Sequence, residues 1–140
     1  MKTRSIMIVG VGGQGSLLAS RIIGNVLLSQ GFDVKVSEVH GMSQRGGSVV
    51  TYVKYGSEVC SPGEADNIIS FEQFEAARYV SYLKKGGHII TSTQQIDPMP
   101  VITGAAVYPE DIIGKLKAEG VDVIAVDALA LAEQAGTAKA

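Results

Sequence analysis

Short apolar runs separated by glycine set the rhythm of this chain. Residues 5–9 (SIMIV) are apolar almost without alternation and stop at Gly10, the pattern of a strand buried on both faces, as central parallel strands are. The period then changes. Over residues 16–30, Leu18, Ile22 and Val26 recur every four positions with Ala19, Ile23 and Leu27 beside them, which predicts a helix with one apolar face closed by Gly31. Residues 33–38 (DVKVSE) alternate and predict the second strand. After a glycine-rich loop at 40–47, the β-branched and aromatic run 48–54 (SVVTYVK) predicts a third. Gly56-Ser57 predicts a tight turn into the short segment 58–61, a hairpin that puts an antiparallel element into an otherwise parallel sheet. Pro62-Gly63 then breaks the chain.

The second half continues the alternation. Residues 67–71 (NIISF) read as a buried strand, 73–85 as a helix ended by Gly86-Gly87, and 88–91 as a further strand. Residues 93–103 hold two prolines and little periodicity, so they read mostly as loop. Pro109 suits the first turn of a helix running to about Glu119, with Gly120 as its cap. Residues 121–127 (VDVIAVD) are the last clear strand, and 128–135 begin a helix. Strands alternating with helices predict a Rossmann-like α/β fold: a three-layer α/β/α sandwich on a largely parallel, mixed sheet. Without internal repeat, low-complexity tract or linker, the 140 residues are expected to form one domain.

Composition removes several function classes. Net charge is −2 and no basic stretch stands out, so nothing draws a nucleic-acid backbone. The longest apolar runs fall short of the ~18 residues that span a membrane, and the N-terminus lacks the apolar stretch and cleavage site of a signal peptide. Cys60 is the only cysteine. It cannot form an intrachain disulfide, which fits a reducing compartment, and it falls short of the roughly four thiolates an iron–sulfur cluster needs. Its own role is open between a small buried apolar residue and a reactive thiol. The expected location is the cytoplasm.

Two glycine loops carry the candidate chemistry. Gly10-Val11-Gly12-Gly13-Gln14-Gly15 matches G-x-G-x-x-G between a strand and a helix, where glycines let backbone approach a ligand and the helix N-terminus favours an anion. Glu38 follows Gly15 by 23 residues, near the ~20-residue offset of a ribose-binding acid. Three readings stay open: a dinucleotide site, a tight turn that binds nothing, and a phosphate-binding or protein-facing loop. The second loop leaves the predicted second strand as Glu38-Val39-His40-Gly41-Met42-Ser43-Gln44-Arg45-Gly46-Gly47. Both loops leave carboxyl ends of strands, the edge where open α/β sheets bind ligands, and are expected to converge. Arg45 offers a planar fork to carboxylate or phosphate. Gly46 and Gly47 expose backbone amides beside it, and Ser43 and Gln44 add neutral polar contacts. The bland alternative is a solvated loop with Arg45 as a surface charge. His40 reads as an acid–base group or as a structural loop histidine; His88, heading an apolar strand, reads as structural.

These motifs resemble a known family. Residues 10–15 look like the opening motif of the gamma domain of 2-oxoacid:ferredoxin oxidoreductases, and residues 37–49 (SEVHGMSQRGGSV) look like the signature of its indolepyruvate branch. Residues 61–66 (SPGEAD) and the Ser70-Phe71-Glu72 strand end are similar as well, and the resemblance runs to about Gly136. It implies a small subunit, inactive alone, that supports decarboxylation of 2-oxoacids, aryl pyruvates above all, to acyl-CoA. Thiamine diphosphate with magnesium, the iron–sulfur clusters and coenzyme A would belong to the assembled complex, on a large partner subunit that passes electrons to ferredoxin. The chain itself lacks both the G-D-G…N thiamine pattern and cysteine clusters. The residues expected to bind a cofactor are Gly10, Gly12, Gly13, Gln14 and Gly15, and those expected to face substrate or partner are Glu38, His40, Met42, Ser43, Gln44, Arg45, Gly46 and Gly47. No catalytic or metal-ligating residue is expected in this chain. Family members run on past the position of Ala140, so truncation is expected. A docking subunit should also keep an exposed apolar patch, with Met42 a candidate member, which an isolated chain would cover by pairing with a second copy. The rival is a free-standing dinucleotide-binding (NAD/FAD) module.

Overall fold

The computed structural model describes residues 2–40 (His40 by its backbone), 47–56 and 65–137. Six strands, β1 (Arg4–Val11), β2 (Asp33–His40), β3 (Ser48–Gly56), β4 (Ala65–Ser70), β5 (Leu83–Ser92) and β6 (Asp122–Val126), form one sheet in the order β2-β3-β1-β4-β5-β6. Strands β1, β4, β5 and β6 run parallel, whereas β3 is antiparallel to both its neighbours. The antiparallel element is therefore β3 itself, wedged between β1 and β2. The hairpin expected at 56–61 falls largely outside the described residues.

Strand β1 is central because its sequence is apolar on both faces: Met7, Ile8 and Val9 are all 0% exposed. Met7 and Val9 face one side with Ile68, Ile89 and Val123, where helices α2 (Gln73–Tyr79) and α4 (Ile112–Ala118) bring Ala76, Ile112 and Leu116 into the main core. Helix α1 (Ser16–Ser29) covers the opposite face over β2, β3 and β1, so the α/β/α sandwich stands. Glu72 caps α2 by accepting the Glu75 amide at 2.9 Å. The helix expected over 73–85 stops earlier: Val80–Tyr82 tighten to a 3-10 turn, Leu83 is extended, and β5 begins there. Gly86-Gly87 lies inside β5 beside a register shift and marks a bulge, not a helix end. Pro109 stands before α4, whose N-cap is Asp111. A single turn, α3 (Met99–Ile102), interrupts the expected loop, and α5 (Ala128–Gln134) follows β6 with Asp127 accepting the Ala130 amide at 2.9 Å.

The apolar face read from α1 is the wrong one. Its buried residues are Ser16, Ser20 and Gly24, and Gly24 rests on Val34 and Val36 of β2. Leu18, Ile22 and Val26 point outward, each more than half exposed. Small residues let the helix sit close to the sheet, and the periodicity of its large residues marks an outer stripe. Along the row Ile8–Ile69–Ile90–Ile124 on α1's side of the sheet, burial also fades, to 51% exposure at Ile124 on the edge. Helix α1 thus covers only half of its face.

Candidate functional site

The carboxyl ends of β1, β4, β5 and β6, the first residues of β3 and the N-terminus of α2 meet at one edge. The first glycine loop lies here, and its side chain of consequence is Gln14. Gln14 Oε1 accepts the Val11 amide at 2.7 Å, while Nε2 donates to the Phe71 carbonyl at 3.0 Å and to Gln94 Oε1 at 3.2 Å. Gly10 is a buried residue of β1, and a Cβ there would stand 3.0 Å from Gln14 Oε1 and 3.2 Å from Phe71 Cβ. The first glycine of the pattern thus leaves room for the glutamine and the neighbouring strand end, not for a pyrophosphate. The Gly12 amide donates to the Gly47 carbonyl at 2.9 Å. Gly13 sits exposed at the tip, and Gly15 caps α1 at φ 82°, a left-handed conformation that suits glycine. Three of the loop's amides, those of Val11, Gly12 and Gln14, are already engaged with protein.

Glu38 does not stand where a ribose acid would. In a dinucleotide fold β2 neighbours β1; here β3 intervenes, with Glu38 opposite Thr51 and Thr51 opposite Ile8. Two strand spacings, about 10 Å, separate the Glu38 backbone from β1. Together with the engaged amides, this removes the support for a dinucleotide module. His40 ends β2 opposite Val49. Met42, Ser43, Gln44, Arg45 and Gly46 lie outside the described residues, while Gly47 is placed and joins the second loop to the first. The expected convergence of the loops is thus visible at the Gly12–Gly47 contact.

Sequence reasoning missed the polar cluster behind that contact. Ser48 Oγ donates to Glu75 Oε2 at 2.5 Å and lies 2.9 Å from the Tyr79 hydroxyl. Arg78 Nε reaches Glu75 Oε1 at 3.3 Å, and its guanidinium lies 5.1 Å from the centre of the Phe74 ring. Deeper still, Glu72, 1% exposed, accepts the Tyr108 hydroxyl and the amides of Glu75 and Ile96. Burial pushes the Glu75 carboxyl up, with the Glu72 charge adding to it, against the opposing pull of Ser48 and Arg78. Burial and the Glu72 carboxylate likewise push the Tyr108 hydroxyl up. The Glu72–Glu75 spacing at a helix start was the available signal, since an acid at the N-cap and another three residues on is a capping arrangement. Beside these groups opens a mostly apolar cleft of about 840 Å³, bordered by Gly47, Ser48, Phe74, Ile96, Met99 and Tyr108.

Among the described residues no group of His, Cys, Asp or Glu is arranged to hold a metal ion, and the single cysteine cannot supply a cluster's thiolates. One cysteine in the sequence therefore does not fit an iron–sulfur cluster. No helix among the described residues is long and apolar enough to cross a membrane.

The chain is 48% identical over 143 residues to indolepyruvate oxidoreductase subunit IorB of Thermococcus kodakarensis, covering 97% of this chain and 71% of that protein. It is 44% identical to the subunit of the same name from Pyrococcus horikoshii, covering 91% of this chain and 70% of that one. In fold it is similar to the gamma subunit of a keto/oxoacid ferredoxin oxidoreductase from Geobacter sulfurreducens, with a TM-score of 0.69 at 19% identity over 96% of this chain and 66% of that one. The family model described as pyruvate ferredoxin/flavodoxin oxidoreductase matches residues 5–140. The chain belongs to the pyruvate ferredoxin/flavodoxin oxidoreductase family.

Proposed function

We propose that this chain is a single gamma-type domain, the small subunit of an indolepyruvate:ferredoxin oxidoreductase. In this reading it supports oxidative decarboxylation of aryl 2-oxoacids carried out by a larger subunit. The observation that carries the reading is the 48% identity across 97% of the chain to a protein named as an indolepyruvate oxidoreductase subunit. The geometry supports it in two ways. The first glycine loop is closed by its own glutamine, as suits a protein-facing turn. The outer stripe of α1 leaves large apolar residues in water, a feature that marks protein interaction surfaces. Thiamine diphosphate, magnesium, the iron–sulfur clusters and coenzyme A belong to the assembled complex, with ferredoxin as the electron acceptor, in the cytoplasm. The second loop, Glu38 to Gly47, faces the substrate or the partner, and Arg45 is its anion-binding residue.

Reconstitution with the large subunit tests this. The chain alone should not reduce a viologen dye with indolepyruvate and coenzyme A, and the mixture should. Arg45→Ala in the mixture should lower kcat/KM roughly 10- to 100-fold, the loss of a charge-assisted contact of about 1.5–3 kcal/mol. Arg45→Lys should rescue only part, because an ammonium lacks the planar fork. Turnover by the chain alone, or stabilisation by NAD(H) with no response to the large subunit, would overturn the assignment.

A further inference from the structure

The second loop returns to the sheet at Gly47-Ser48, and three separate contacts hold that point. The Gly47 carbonyl accepts the Gly12 amide at 2.9 Å. Ser48 pairs with Val11 in the sheet. The Ser48 hydroxyl donates to Glu75 at 2.5 Å. The first two are backbone contacts that any sequence with this fold could make. The third is a side-chain bond across 27 residues to a carboxyl that is 4% exposed, and a buried carboxyl costs stability unless its oxygens are satisfied. Here both oxygens are: Oε2 by Ser48, Oε1 by Arg78 at 3.3 Å. The Glu75 amide in turn is held by Glu72, which also takes the Ile96 amide and the Tyr108 hydroxyl. Glu75 is thus fixed from behind and reaches forward to the first residue of β3.

We propose that Glu75 is a positioning residue for the second glycine loop: from α2 it grips Ser48 and so fixes where the loop re-enters the sheet beside Gly12. Tyr79, one helical turn on, shares the same hydroxyl at 2.9 Å, so the grip has two arms on one helix face. Arg78 holds the other Glu75 oxygen and turns the carboxyl toward Ser48. A neutral apolar side chain would pack on α2 as well and, among the described residues, leave the Ser48 hydroxyl with Tyr79. The inference rests on the proposed function only for what the loop meets, since the grip lies wholly within this chain.

Trypsin provides the test, because Arg45 is a cleavage point inside the loop and Lys117 one outside it, on α4. On the purified chain, Ser48→Ala and Glu75→Ala should each raise the rate of cleavage after Arg45, measured against cleavage after Lys117, by roughly fivefold, as local opening becomes easier. The double variant should add little beyond Ser48→Ala, which already removes the bonds to both Glu75 and Tyr79. Glu75→Gln keeps an oxygen that accepts the Ser48 hydroxyl and should restore most of the protection. Ser48→Ala removes only a half-buried hydroxyl, so it keeps the test valid if Glu75→Ala folds poorly. Cleavage at both sites rising in step, unchanged cleavage after Arg45, or additive effects in the double variant would each overturn the assignment. No partner enters this experiment, so its failure is distinguishable from a failure of the subunit to dock.

Discussion

At the scale of single residues, Gln14 decides what the first glycine loop can do. A pattern of three spaced glycines leaves open whether the space serves a ligand or the protein, and the pattern alone names no occupant. The glutamine occupies it. Its amide group bonds Val11, Phe71 and Gln94, joining the ends of β1 and β4 to the segment after β5. Gln14→Ala leaves the Val11 amide and the Phe71 carbonyl short of partners, at about 2 kcal/mol for part-buried groups. Urea unfolding should show a lower midpoint with an unchanged slope, since the surface exposed on unfolding stays the same. A midpoint equal to wild type would mean that water replaces the glutamine without loss. That a polar side chain sits inside the motif was visible in the sequence; that it folds back onto Phe71, 57 residues away, was not.

At the scale of elements, α1 shows how periodicity is read correctly and placed wrongly. The four-residue recurrence of Leu18, Ile22 and Val26 identified the helix and its bounds to within a residue. Those side chains nevertheless point away from the sheet, because Ser16, Ser20 and Gly24 permit a closer approach than large residues would. A helix that packs by its small residues and carries a large apolar stripe on its other face belongs between two layers, and among the described residues only the sheet covers it. Replacing Leu18, Ile22 and Val26 together with glutamine should leave the thermal midpoint of the chain within about 3 °C, since exposed positions carry little stability. It should also weaken binding to the large subunit by at least an order of magnitude in a pull-down titration. Large destabilisation of the isolated chain would show instead that the stripe is buried in solution. Helix α2 teaches the complementary point: the apolar run continued past Tyr79, but pairing of β5 with β4 begins at Leu83 and draws the chain extended. A tertiary contact of that kind overrides local propensity.

At the scale of the whole molecule, the two edges of the sheet differ in chemistry. At the edge away from the glycine loops, Asp66 accepts the Ser5 amide at 2.7 Å and the Lys84 ammonium at 3.1 Å through both oxygens. Burial pushes its carboxyl up, but Ser5, Lys84 and Arg4 outweigh this and leave it below the ordinary value of 3.8. A depressed carboxyl contributes stability that is present above 3.8 and lost as pH falls through the lowered value. Glu75, at the loop edge, has the opposite sign: its contribution is greatest below 4.5 and is lost as pH rises through the raised value. Asp66→Asn should therefore flatten the acid limb of a stability–pH curve, and Glu75→Gln should flatten the decline on the other side of 4.5. Urea midpoints measured between pH 3 and 7 check both; equal curves for variants and wild type would remove these carboxyls from the balance. The layer order was legible from alternation, because glycine-bounded apolar runs announce their elements. The insertion of β3 between β1 and β2 was not, since nothing local in residues 48–54 states which neighbour the strand will choose.

That insertion has a consequence for the order in which the chain is made. Synthesis delivers β1 first, yet its two neighbours, β3 and β4, arrive after residues 47 and 64. Until then an apolar strand destined for the centre emerges with nothing to pair with, and β2, the next strand delivered, is not its neighbour. Strands β2 and β3 can zip together at once as a local hairpin, because they adjoin in sequence and in space. Among these six strands the first pairing that chain order favours is then the β2–β3 ribbon, and β1 can dock onto its β3 side once residue 56 has been made. Nascent chains halted before that point expose Ile6 to Val9 to chaperones and to one another, and those halted after it can bury them.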